Sequence, residues 1–129
     1  MSLTTLKARW AALRPDLKKH LLVGFAFGSG VCVVSWLAAG YAGTLLGQAQ
    51  HPAAEAVLRF IAGFRHPVFA GLLGLVAGER AGWVKDYVWD ASGKGTVDRD
   101  DYLFTGRGAV AGAVAGGMLV TLLPMLSAS

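Results

Sequence analysis

Charged side chains are scarce in this sequence: 16% of its 129 residues are Asp, Glu, Lys or Arg, against about a quarter in soluble domains. That shortage argues against a fold with a conventional water-facing surface. Acidic residues are rarer still away from one segment. Asp16 and Glu55 stand alone, while Glu79, Asp86, Asp90, Asp98, Asp100 and Asp101 fall within 23 residues. One cysteine, Cys32, excludes an internal disulfide, and its place inside an apolar run makes it small core filler. No nucleophile–base pattern is present: Ser29 and Ser35 lie in an apolar run without a partner, and Ser92 lies in a turn. His51 and His66 precede prolines and read as turn residues. Despite a net charge of +4, no DNA- or RNA-binding motif occurs, so nucleic acid is not an expected partner.

What the chain has in abundance is apolar length and glycine. Hydrophobic residues make up 54%, mean hydropathy is +0.50 and glycine occurs 18 times. Leu21 to Gly47 carries no charge over 27 residues. About 20 residues at ~1.5 Å each cross the hydrocarbon core, so this run spans with room to tilt. It also far exceeds the apolar core of a cleaved signal peptide. Residues 108–126 form an uncharged run of 19. The middle run, from His66 to Gly78, becomes a span if its helix continues through Glu79 and Arg80 to Lys85, or if it starts earlier, at Ala53, with Arg59 and Arg65 in the outer interface. Before it, Val57, Leu58, Ile61 and Phe64 recur at helical spacing in an interfacial helix over residues 52–65, broken at His66-Pro67. Residues 1–19 form a basic amphipathic leader with Leu3, Leu6, Trp10, Leu13 and Leu17 on one face, and Pro15 as its breaking point. The expected architecture is all-α and a single domain: an integral membrane three-helix bundle with an amphipathic leader (1–19), spans over 21–47, 66–85 and 108–126, the interfacial helix (52–65), and a polar acidic helix-turn-helix loop (86–107) at the cytoplasmic interface.

Orientation follows from the basic residues. Lys7, Arg9, Arg14, Lys18 and Lys19 precede the first span, and Arg80, Lys85, Lys94, Arg99 and Arg107 lie between the second and third; only Arg59 and Arg65 fall between the first and second. The positive-inside rule then puts the N-terminus and acidic segment in the cytoplasm and the C-terminus outside, in a multi-pass inner-membrane protein. The basic groups also suit anionic membrane lipids as partners. Small residues recur every four positions in each span: Gly24 and Gly28; Gly74 and Gly78; Gly108, Gly112 and Gly116. That spacing lets helix backbones approach closely. It fits packing within one chain, or a homo-oligomer or larger membrane or virion assembly.

The candidate site is the polar end of this bundle. Glu79, Trp83, Asp86 and Asp90 are spaced four, three and four, one stripe of a helix leaving the second span. Asp101, Thr105, Gly108 and Gly112 repeat that spacing at the start of the third, and His20 opens the first. His20, Glu79, Asp86, Asp90, Asp98 and Asp101 are therefore expected near one membrane depth. Three chemistries suit them: a divalent-cation site, acid–base work between crowded carboxylates and a histidine, or helix caps and turns neutralised by Arg80, Lys85, Arg99 and Arg107. Counted from Asp90, the loop has the outline of an EF-hand, with Gly95 at position six, Asp98 at nine and Asp101 at twelve, but Lys94 stands at position five where an oxygen ligand belongs. No cofactor is expected, with a divalent cation as the alternative.

The ordered set Lys19-His20, Gly78-Glu79 through Lys85-Asp86, the Gly93 to Asp101 turn, and Thr105 to Gly116 resembles the VanZ-like proteins and related small bacterial or phage membrane proteins. The likeness covers scattered positions between residues 18 and 117. VanZ-like proteins usually have more spans, and a Gln or His beside the acidic Glu, which Ala81 to Lys85 does not supply. The resemblance implies a cell-envelope role, including low-level resistance to glycopeptides that bind lipid II. The expected function is binding or assembly through the His/carboxylate cluster. The competing reading is a phage-type holin, a pore-forming homo-oligomer, although its usual basic C-terminal tail is replaced here by Leu126-Ser-Ala-Ser129.

Overall fold

The computed structural model describes residues 2–93 and 98–126. Among them every regular element is helical: α1 (Leu3–Ala12), α2 (Pro15–Leu46), α3 (Pro52–Ala62, continued by a 3-10 turn at Gly63–Arg65), α4 (Pro67–Trp83) and α5 (Arg99–Leu126). Beyond Trp83, α4 runs on as a widened π-helical turn over Val84–Trp89 and a 3-10 turn over Asp90–Ser92, which Gly93 closes in the left-handed region at φ 84°. Only glycine takes that conformation without strain.

The starts of these helices are written in the sequence. Pro15, Pro52 and Pro67 each occupy a first-turn position, where the missing N–H costs nothing and the fixed φ suits a helix. His51 and His66 are the caps before two of them: their Nδ1 atoms accept hydrogen bonds from the backbone N–H of Ala53 (3.2 Å) and Val68 (3.3 Å). Pro15 divides the leader, so the basic segment is a ten-residue helix followed by a break at Leu13 and Arg14, and the first long helix begins at residue 15. No residue of α1 is buried; Leu3, Leu6 and Trp10 all face outward.

Two helices, Pro15–Leu46 and Arg99–Met125, are long and apolar enough to cross a membrane. Pro52–Arg65 and Pro67–Ser92 pass that test only as a pair, and they meet at a 92° bend. Val57 and Phe60 on α3 are exposed. Arg65 ties the corner to α2: its guanidinium lies 3.6 Å from the Trp36 ring centroid and donates to the Trp36 carbonyl (3.4 Å), over the open backbone of Gly40.

Helices α2, α4 and α5 pack together through small residues. A Cβ on Gly24 would collide with the Thr105 carbonyl, and one on Gly28 would meet the Ala109 carbonyl at 2.5 Å and the Ala113 nitrogen at 3.0 Å. From the other side, Gly108 and Gly112 lie on the carbonyls of Leu21 and Phe25, and Gly116 on Cys32. The contacts therefore advance together along α2 and α5, so these two helices run parallel. Gly74 lies on the Gly28 carbonyl, Gly78 on Ala109 and Gly82 on Thr105, so α4 runs the opposite way. Cys32, Trp36, Ala70 and Val120 form the apolar core at the far end. Aliphatic and aromatic side chains instead point outward, Phe27, Val34, Leu72, Val76 and Leu119 among them. A bundle that is small inside and large outside is what lipid, rather than water, permits.

Candidate functional site

Parallel α2 and α5, with α4 returning between them, bring the start of α2, the end of α4 and the start of α5 together. The buried stripe of α4 is Ala70, Gly74, Gly78 and Gly82, and it continues through Asp86 and Asp90. In an α-helix each four-residue step overshoots a turn, so such a stripe drifts around the axis. The widened turn over Val84–Trp89 takes more residues per turn and rotates the stripe back, keeping both aspartates on the bundle side. Asp86 is completely buried, and Asp90 and Asp101 are nearly so.

Lys85 is the hub. Its ammonium reaches Asp86 Oδ1 at 2.9 Å, Asp90 Oδ2 at 2.9 Å and Asp101 Oδ2 at 3.2 Å, using the three donors an ammonium has. Asp101 Oδ2 is also 3.0 Å from His20 Nε2. Thr105, itself buried, gives its one hydroxyl hydrogen to the Asp101 carbonyl at 2.9 Å. Across the 3.3 Å to His20 Nδ1 it can then only accept. His20 thus meets Asp101 through Nε2 and Thr105 through Nδ1.

The Lys85 ammonium and the His20 ring face three carboxylates, and two oxygens are left over. Asp86 Oδ2 and Asp101 Oδ1 are buried with no hydrogen-bond partner among the described residues. An unsatisfied buried acceptor costs about 1–3 kcal/mol, more when charged. The arrangement is therefore suited to receive a hydrogen-bond donor or a cation. Among the described residues no three His, Cys, Asp or Glu side chains are grouped to hold a metal ion; the Lys85 ammonium occupies the centre of the aspartates.

Of the residues expected at this site, His20, Asp86, Asp90 and Asp101 come together, whereas Glu79 and Asp98 do not join them. Glu79 turns to the other flank of α4, accepting a hydrogen bond from the Tyr102 hydroxyl and pairing with Arg80 Nε at 3.4 Å. Trp83 is exposed and stacks on Tyr87, which meets Tyr102 edge-on. Asp98 caps α5: Oδ1 accepts from the Asp100 N–H at 2.8 Å, and Oδ2 pairs with Arg14 at 3.3 Å. Of the EF-hand outline, Lys94 and Gly95 lie outside the described residues, and Asp90 and Asp101 are both held by Lys85; Ser92, in the same segment, donates to the Trp89 carbonyl. Lys85 and Thr105 carry more of the site than residue type alone suggests. The signal for each was adjacency: Lys85 precedes Asp86, and Thr105 lies one turn after Asp101.

The cap at Asp98 makes a pH prediction. The Asp100 N–H and, after it, Arg14 hold the Asp98 carboxyl below its ordinary value of 3.8. Its contribution to stability is therefore complete above that value and lost as pH falls through the lower, folded value. Carbon-13 NMR titration should give Asp98 a midpoint below 3.8, moving back towards it in Arg14→Gln.

No family model, curated protein or solved structure matches this chain.

Proposed function

We propose that this chain is a small integral membrane protein of the bacterial cell envelope whose polar cluster serves binding or assembly. Helices α2, α4 and α5 are the three crossings, the cluster end faces the cytoplasm and the C-terminus faces outward. In sequence, the ten basic residues that precede the first span or separate the second from the third support this orientation. The 17 residues of α4 reach only ~26 Å at ~1.5 Å each, and its helical continuation to Ser92 supplies the rest. Helix α1, with Leu3, Leu6 and Trp10 outward and Lys18 over the Trp10 ring at 5.8 Å, is placed on the membrane surface. The resemblance to VanZ-like proteins is consistent with an envelope role.

The observation that carries the binding reading is the completely buried Asp86 carboxylate with one oxygen unpartnered, beside a second such oxygen on Asp101. A solely structural cluster gains nothing from unanswered acceptors. The holin reading gains no support from the packing: Gly24, Gly28, Gly74, Gly78, Gly108, Gly112 and Gly116 all meet partners within the chain, so no second copy is needed to use them.

Native mass spectrometry on protein extracted with its surrounding lipid tests the binding reading. Wild type should carry an additional bound mass, a subunit or small cation, that Asp86→Asn/Asp101→Asn loses while its unfolding temperature stays within a few degrees. Identical spectra from the two chains would contradict the reading.

A further inference from the structure

The outer surface of the α2/α4 seam carries a feature that the cluster does not use. Two depressions lie end to end on it, with volumes of about 540 and 670 Å³, and share Phe27 and Val31. Together they make one groove, from Val34 and Leu73 at one end to Arg80, Lys85 and Trp89 at the other. Apart from Ser35, its walls are apolar until that last stretch. From Leu73 to Lys85 the groove follows 12 residues of helix, about 18 Å at ~1.5 Å per residue, close to the ~15 Å depth of one leaflet's hydrocarbon.

Charge separates this groove from the others. The α4/α5 groove, lined by Pro67, Gly71, Val114 and Gly117 among others, has no charged residue, and the depression near Tyr102 sets Glu79 beside Arg107. The α2/α4 groove alone among these ends on two cations with no carboxylate in its lining. Lys85 turns its donors to the aspartates, yet its side chain is 40% exposed. Arg80 is 66% exposed, and its ion pair with Glu79 is made through Nε. An indole at the same end, Trp89, is the side chain that favours the head-group level.

We propose that this groove holds an anionic phospholipid of the leaflet at the cluster end, with an acyl chain along Val34, Val31 and Phe27 and its phosphate on the Arg80 guanidinium. One leaflet's length of apolar wall, capped by cations and an indole, matches a lipid from head group to chain. The proposal rests on the membrane placement of α2 and α4 and not on what the cluster binds, and labelling from the two sides of the membrane tests that placement separately.

Two variants separate head group from chain. Gly30 lines the groove, and a Cβ there meets nothing within 4 Å, so Gly30→Leu adds its bulk to the groove with no clash at the Cβ. Gly117, equally open, lines the uncharged α4/α5 groove, and Gly117→Leu is the control. Detergent-solubilised protein is given equal phosphatidylglycerol and phosphatidylcholine of identical chains, and retained lipid is counted by native mass spectrometry. Wild type and Gly117→Leu should prefer phosphatidylglycerol roughly fivefold, the effect of about one basic side chain near a head group. Arg80→Gln should lose the preference, Gly30→Leu should retain neither lipid, and inorganic phosphate should not displace the bound lipid. Equal retention of the two lipids by wild type, or full retention by Gly30→Leu, overturns the proposal. Displacement by inorganic phosphate also overturns it, since the site would then take phosphate without a chain.

Discussion

Gly24→Ala is expected to destabilise the bundle by about 2–3 kcal/mol, the upper part of the range for overpacking a close contact. The added methyl would land on the Thr105 carbonyl oxygen, 2.8 Å from its carbon and 2.9 Å from the Ala109 nitrogen. These are backbone atoms in the middle of a helix, so no side chain can rotate away. The two helices must separate, and Thr105 moves with α5 away from His20 Nδ1, so the loss reaches the polar cluster as well. Gly30→Ala is the matched control. A Cβ at Gly30 meets nothing within 4 Å, and removing a helical glycine should stabilise by up to ~1 kcal/mol. Opposite signs for the same substitution, six residues apart on one helix, are a stringent outcome. Unfolding in mixed micelles followed by near-ultraviolet circular dichroism reads both. Equal effects at the two positions would mean that α2 and α5 are not in contact at Gly24.

Lys85→Met is expected to cost about 3 kcal/mol, the lower end for breaking a buried ion pair, because Lys85 itself is partly exposed. The substitution keeps the aliphatic stem but leaves Asp86, Asp90 and Asp101 facing one another with only His20 to answer them. Most of the loss is the uncompensated negative charge rather than the attraction removed. Adding Asp86→Asn and Asp90→Asn to Lys85→Met should therefore recover most of the stability. If the triple variant is as unstable as Lys85→Met alone, Lys85 acts through its packing and not through its charge. Urea unfolding in the same micelles decides between the two.

Much of this fold can be read from the sequence because long apolar runs and regular glycine spacing leave few options. Uncharged length at Leu21 to Gly47 and residues 108–126 marks two helices, and four-residue glycine spacing marks the faces on which they close. Prolines at residues 15, 52 and 67 mark where helices begin. The cluster is less legible. On a regular helix Glu79, Trp83, Asp86 and Asp90 share a stripe, but Gly78 and Gly82 lie beside that stripe and are the residues small enough to pass under α5. Close backbone approach at the glycines turns Glu79 and Trp83 out towards Tyr102 and Tyr87, and the widened turn at Val84–Trp89 returns Asp86 and Asp90 to the interior. A widened turn has no local sequence signature, so nothing in the spacing announces it. Lys85, expected only as one of four neutralising cations, becomes the hub for a related reason. It points to the aspartates from within that turn, where ordinary helical spacing would set it on the flank.

His20, Lys85 and Asp101 meet at one end only because α4 returns antiparallel to α2 and α5. Single cysteines at Ser2, Ser92 and Met125, all exposed, in a Cys32→Ala chain test it with a membrane-impermeant maleimide applied to bacterial cells. Met125→Cys should be labelled in cells whose inner membrane is intact, and Ser2→Cys and Ser92→Cys only once that membrane is opened. Labelling of Ser2→Cys and Met125→Cys from the same side would mean that the membrane is crossed twice, and would contradict the account.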